Sequence, residues 1–173
     1  MDVPFLMDRY KWELDRRDKI SSSANFPTTI LIVLAGALGT LIQVSTNLKS
    51  VFFWWLFVPI VIAGVIGAIA GYQFMQAYFD GSEYKVLPPL IELELMRVQL
   101  ADQEEQDDTP EEEFTRGLRS RIIDATDVNA ASNDRRQARF EKGVKWLKYT
   151  VCATACCAVL SVPFGVISHW PKP

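Results

Sequence analysis

Three apolar stretches constrain this chain more than any other feature. They run from Phe26 to Val44, from Val51 to Phe79 and from Tyr149 to Trp170, and none contains Asp, Glu, Lys or Arg. A bilayer core is about 30 Å thick, so a helix needs roughly 20 apolar residues to cross it. All three stretches are long enough, and the second has length to spare for tilt. The expected fold is all-α: a polytopic membrane protein with three transmembrane helices and a cytoplasmic helical bundle.

The basic residues orient these spans. Of 18 Lys and Arg, five precede the first span, one (Lys49) lies between the first and second, eleven lie between the second and third, and one (Lys172) follows. Lys and Arg in short loops mark the cytoplasmic side. The N-terminus and the long middle segment are therefore expected in the cytoplasm. The tight Ser45–Ser50 turn and the tail are expected outside. A cleavable signal peptide is not expected, because the first apolar run starts late and a second span follows at once.

This gives five parts: residues 1–25, a cytoplasmic amphipathic N-terminal helix; 26–79, a transmembrane helical hairpin; 80–148, a cytoplasmic helical sensor region; 149–170, the third transmembrane helix; and 171–173, an external tail. In the first part Met7, Tyr10 and Leu14 fall at helical spacing, and Tyr10 and Trp12 suit a headgroup-level position. Ser21–Asn25 reads as a polar break. Pro27 falls in the first turn of the first span, where its missing N–H costs little. Pro88-Pro89 marks a turn, with a helix over Leu90–Gln106. After the acidic loop Glu104–Pro110, Thr109-Pro110-Glu111-Glu112 reads as a helix start. Helix is expected to about Ser120, and again from Ile122 into the third span, with Gly143 the weak point.

Charge is split along the middle segment. Asp80–Glu113 carries 12 acids and 2 bases, whereas Phe114–Lys148 carries 4 acids and 9 bases. Such a dipolar segment folds on itself, pairs between subunits, or simply presents solvated helix faces. Cys152, Cys156 and Cys157 lie in the third span and read as small apolar residues. They lack the His or acid partners of a metal site.

Each span carries a stripe of small or weakly polar residues. Gly36, Gly39, Thr40 and Gln43 share one arc of the first. Gly64, Gly67, Ala68 and Gly71 repeat the spacing in the second, and Thr150, Thr154, Cys157, Ala158 and Ser161 align in the third. Small faces let helices approach closely in lipid. They serve packing within one subunit, contact between subunits, or the lining of a pore. The absence of charge in the spans disfavours a proton-coupled transporter or voltage sensor. A channel lined by small or polar groups remains open to it, but three spans cannot enclose a path, so a pore requires a homo-oligomer.

No phosphate-cradling Gly loop, Cys/His ligand set or nucleophile elbow occurs, so neither enzyme activity nor a cofactor is expected. One constellation remains. On the helix around Arg121–Arg136, Arg119, Thr126, Asn129 and Asn133 align, with Arg136 at the edge of the arc, and Arg135 beside it is a further candidate. Amides beside guanidinium groups suit phosphate and base-edge recognition. The same residues equally suit a hydrogen-bonded seam between helices.

Two close spans, an acidic loop and an Ala125-Thr-Asp-Val-Asn129…Asn133-Asp-Arg135-Arg136 helix entering a third span resemble the small membrane effectors of bacterial anti-phage loci, of the Hailong type. Tyr10–Leu41 shares the resemblance. It implies an oligomeric channel of the bacterial inner membrane. A nucleotide or DNA oligomer, made by a partner nucleotidyltransferase and bound in the cytoplasm, would gate it. The alternatives are a non-conducting scaffold that recruits a protein partner through the charged segment, and a holin-like lytic protein.

Overall fold

The computed structural model describes residues 2–46, 50–79, 84–101 and 109–168, without the side chains at 50–52, 90, 101 and 163–168. Most of the Ser45–Ser50 turn, most of the acidic loop and the external tail lie outside these residues. Among the described residues every element is an α-helix: α1 (Val3–Ser23), α2 (Asn25–Thr46), α3 (Ser50–Phe79), α4 (Leu90–Ala101) and α5 (Pro110–Ser168). The all-helical expectation is met.

Local chemistry explains the boundaries. The Thr109 carbonyl accepts from the Glu112 and Glu113 amides at 2.9 and 3.2 Å. Pro110 occupies the first position and three acids follow in the first turn, where the helix dipole favours negative charge. The Pro89 carbonyl starts α4 in the same way, accepting from Glu92 and Leu93. Ser21–Asn25, expected as a polar break, is almost entirely helical. Only Ala24 separates α1 from α2, and its amide still donates to the Ser21 carbonyl at 3.3 Å. Helix α5 runs through Gly143 without a break.

The chain forms two units. The first unites Met1–Lys19 with Asp80–Arg135, and the second unites Ile20–Phe79 with Arg136–Pro173. In the first, Leu6 and Tyr10 of α1 bury against Ile122 and Ala125 of α5, with Met7, Leu14, Leu87 and Leu118 around them. Tyr10 is therefore an interior residue, not a headgroup anchor. Its hydroxyl accepts from the Leu87 amide at 3.2 Å. Trp12 stays at the surface, with the Arg9 and Arg16 guanidinium carbons 4.3 and 5.7 Å from its ring.

In the second unit α2, α3 and the C-terminal half of α5 pack together. Leu38, Leu41, Leu56, Ile60, Ala63 and Cys157 form one core cluster. Ala70, Phe74 and Leu147 form another, flanked by Leu31, Leu34, Phe140 and Val144. Two helical stretches, Val3–Thr46 and Phe53–Phe79, are long and apolar enough to cross a membrane. Only 11% and 22% of their apolar windows are buried, whereas the core helix of a soluble protein is mostly buried. Trp54, Trp55, Tyr72, Tyr78 and Phe79 are exposed towards the two ends of α3, where amphipathic rings suit a membrane–water boundary.

Candidate functional site: a buried polar seam and an outward polar face

The interior of the first unit turns polar one turn beyond its apolar cluster. Ile122, Ala125, Thr126, Asn129, Ser132 and Asn133 are the buried residues of one α5 face. The Asn129 carboxamide pairs with the main chain of Lys85, accepting from its amide at 2.9 Å and donating to its carbonyl at 3.0 Å. Segment 84–87 has no secondary structure of its own, so α1 and α5 side chains supply partners its backbone needs. The Asn133 amide nitrogen donates to the Glu13 carbonyl at 2.8 Å and to Glu13 Oε2 at 2.9 Å. Its oxygen accepts from the Tyr84 hydroxyl. Lys85 is held further by Asp124 at 2.6 Å.

Glu13 is the centre of this seam and is 0% exposed. Arg9 and Arg16 lie 3.5 and 3.7 Å from its carboxylate oxygens, and Arg16 also reaches Asp134 at 2.7 Å. A buried carboxylate needs such partners, because desolvation otherwise costs several kcal/mol (an order-of-magnitude figure). Sequence reasoning missed Glu13, although a signal existed. Leu6, Tyr10, Glu13 and Ile20 lie on one helical stripe, and the acid occupies an apolar register position.

The six candidate ligand residues do not form one group. Thr126, Asn129 and Asn133 share the seam interior, where the Thr126 hydroxyl donates to the Ile122 carbonyl at 2.7 Å. Arg119 lines a separate open cleft of about 490 Å³ with Thr109, Glu111, Glu112, Thr115 and Arg116. Arg135 is exposed. Arg136 belongs to the second unit and is 2% exposed. Its Nε donates to the Ala77 carbonyl at 2.7 Å, and its Nη2 donates to Ser21 Oγ at 2.9 Å and the Tyr78 carbonyl at 3.4 Å. Carbonyls of a last helical turn have no partner within the helix, and a guanidinium there satisfies them and opposes the dipole. Asn129, Asn133 and Arg136 thus have hydrogen-bonding groups engaged within the chain.

The candidate packing residues also divide. A Cβ on Gly67 would lie 3.2 Å from Thr150 Cγ2, and one on Gly71 would lie 3.8 Å from Leu31 Cδ1, so both glycines face their own subunit. At Gly143 a Cβ would come within 2.8 Å of the Phe74 ring, which gives this glycine a packing role. Gly36, Gly39 and Gly64 meet nothing within 4 Å. On α2, Leu38, Leu41 and Ser45 are buried. At about 100° per residue, Gly36, Gly39, Thr40 and Gln43 lie on the opposite side of the helix. All four are exposed. The Thr40 hydroxyl donates back to the Gly36 carbonyl at 3.1 Å, leaving its lone pairs free to accept.

No known family, no curated protein and no solved structure matches the chain. Among the described residues no group of three or more His, Cys, Asp or Glu side chains is placed to hold a metal ion.

Proposed function

We propose that the chain is one subunit of an oligomeric, ion-conducting effector of the bacterial inner membrane, and that α2 supplies its water-facing or subunit-facing wall. The observation that carries this reading is the outward placement of Gly36, Gly39, Thr40 and Gln43. Lipid offers such a face nothing, whereas another copy offers close helix contact and a water-filled axis solvates its polar atoms. In this reading the C-terminal half of α5 is the third span, with the N-terminus in the cytoplasm and the C-terminus in the periplasm. The packing of Cys157 against the α2 and α3 core supports the third span.

The first unit is the sensor in this proposal, and the ligand is a nucleotide or a short DNA strand. Glu13 is an internal anion held by Asn133, Arg9 and Arg16, as a phosphate would be. A ligand phosphate acts by displacing it, and the continuous α5 helix carries the change towards the span. The resemblance to anti-phage effectors supports this choice of ligand.

The test joins topology to current. In a cysteine-free background, a cysteine at Asn47 should label from the periplasm and one at Gln106 should not. Purified protein should pass current across planar bilayers and respond to oligonucleotide in a salt-dependent way. Absence of current and of oligonucleotide affinity at low salt would transfer the reading to a non-conducting scaffold. One observation favours that second reading: Ile91, Leu95 and Val98 form an exposed apolar stripe on α4, suited to a protein partner.

A further inference from the structure

The charge-free stretches of α3 and α5 are out of step, and the offset leaves three lysines beside apolar surface. The two helices run antiparallel in the second unit. A Cβ on Gly143 would meet the Phe74 ring, and one on Gly67 would meet Thr150. These contacts place Lys142, Lys145 and Lys148 about level with Met75, Tyr72 and Ile69. The charge-free run of α5 begins only at Tyr149, whereas that of α3 continues to Phe79, roughly ten helical steps or about 15 Å beyond Ile69. Helix α3 has 30 residues, about 45 Å, which matches a bilayer of about 40–45 Å with both headgroup layers. On that scale its last turn crosses the inner headgroup layer. Lys142 then stands in that layer, and Lys145 and Lys148 stand about one and two turns below it.

The lysines point away from the protein. Gly143, Leu147 and Thr150 are buried, and at about 100° per residue the three exposed lysines occupy the opposite side of α5. That outward face continues into the span as Cys152, Cys156 and Val159, all exposed. Trp146 and Tyr149 meet edge to face at the same level, with ring centroids 5.8 Å apart, and amphipathic rings suit a membrane–water boundary. Arg136–Lys148 carries five bases and one acid. That acid, Glu141, accepts from Gln137 at 3.0 Å. An ammonium at hydrocarbon depth is costly, and the four-carbon stem of Lys lets it reach back to anionic headgroup oxygens.

Resting on the third-span reading above, we propose that Lys142, Lys145 and Lys148 form a ladder that collects anionic phospholipids of the inner leaflet around α5. The phosphates lie at the ammonium groups, and the acyl chains lie along the Cys152–Val159 face. A surface that is basic at headgroup level and apolar below it fits a phospholipid at both ends. An acidic segment of a second copy would fit only the basic part.

Native mass spectrometry of the detergent-purified protein, equilibrated with equal amounts of phosphatidylglycerol and phosphatidylcholine, tests the ladder. The wild type should retain roughly tenfold more phosphatidylglycerol than phosphatidylcholine, since each base near an anionic surface strengthens binding about fivefold. Lys142→Gln, Lys145→Gln and Lys148→Gln together keep the helix propensity and should remove most of that preference. Lys11→Gln, at an exposed position of α1, should leave it intact. No preference in the wild type, or an unchanged one in the triple variant, would overturn the proposal and leave the lysines to orient the span alone. Displacement of the lipid by inorganic phosphate would overturn it in favour of a soluble anion. A carbodiimide cross-link from Lys145 to a second copy, in place of lipid, would make the ladder a subunit contact instead. A wild type that stays monodisperse without detergent would defeat the third-span reading itself, a failure distinct from a detergent-dependent protein with no lipid preference.

Discussion

The two units differ in what fixes their geometry. In the first, long polar side chains reach across and bond to main chain: Asn129 to Lys85, Asn133 to Glu13. In the second, Arg136 makes one such reach, to the Ala77 and Tyr78 carbonyls, but elsewhere side chains are withdrawn so that helices can touch, as where Gly67 meets Thr150 and Gly143 meets Phe74. On the membrane reading proposed above, the difference follows from what each can gain. Where water is the alternative environment, burying apolar surface drives packing and a few hydrogen bonds fix the geometry. Where lipid is the alternative, apolar burial gains little, and close van der Waals approach has to supply the attraction. The first unit should accordingly be sensitive to loss of atoms and the second to their addition.

Removal of a seam partner should have the largest effect. Asn133→Ala takes a donor from the buried Glu13 carboxylate and an acceptor from Tyr84. The expected loss is about 3 kcal/mol, since hydrogen bonds to buried charges are the costly ones to leave unmade. Thermal unfolding in detergent measures it. Hydrogen exchange at the Lys85 and Leu87 amides should accelerate with it, and unchanged protection there would break the contrast. Addition of one methyl should have the next largest effect in the second unit. Gly143→Ala forces the buried Phe74 ring to move and should cost about 2 kcal/mol. A stable Gly143→Ala protein would mean that the close approach is not what holds α5 to α3.

These pairs also show what was legible in the sequence. The helices were, because run length, Pro110 and its preceding Thr109 are local signals. The small-residue stripes were too, because periodicity places residues on faces. What each face meets was not legible. Gly67 and Gly36 are the same residue at the same kind of spacing, yet one has Thr150 in front of it and the other nothing within 4 Å. The alignment of Thr126, Asn129 and Asn133 was readable, but Lys85, the partner of Asn129, and Tyr84 and Glu13, the partners of Asn133, lie 44 to 120 residues away, beyond any local pattern. Arg119 aligned with them by spacing and nevertheless lines a different cleft, because spacing fixes a residue's angle and height on a helix and not what packs against it at that height.

A smaller effect sharpens the contrast. Gly67→Ala should cost about 1 kcal/mol through its 3.2 Å approach to Thr150 Cγ2. Thr150→Ser removes that methyl and should relieve most of the cost, so a double-mutant cycle should show coupling. Additive effects would mean the two residues do not meet. The smallest effect on one subunit is expected at Gly36→Ala and Gly39→Ala. Within one copy there is room for both, and helix propensity should add up to about 1 kcal/mol each. The oligomer, by contrast, should weaken, seen as a lower assembled fraction in light scattering. An unchanged oligomer would mean that this face looks at lipid.

The outward polar face of α2 is the centre of the account, and current through the assembled protein tests it most directly. In a cysteine-free background, Gln43→Cys protein in a planar bilayer should conduct, and a charged thiol reagent added from either side should remove most of the current. The same reagent on Val61→Cys, an exposed apolar position of α3, should leave the current intact. Full current after complete modification at position 43 would contradict a water-facing α2.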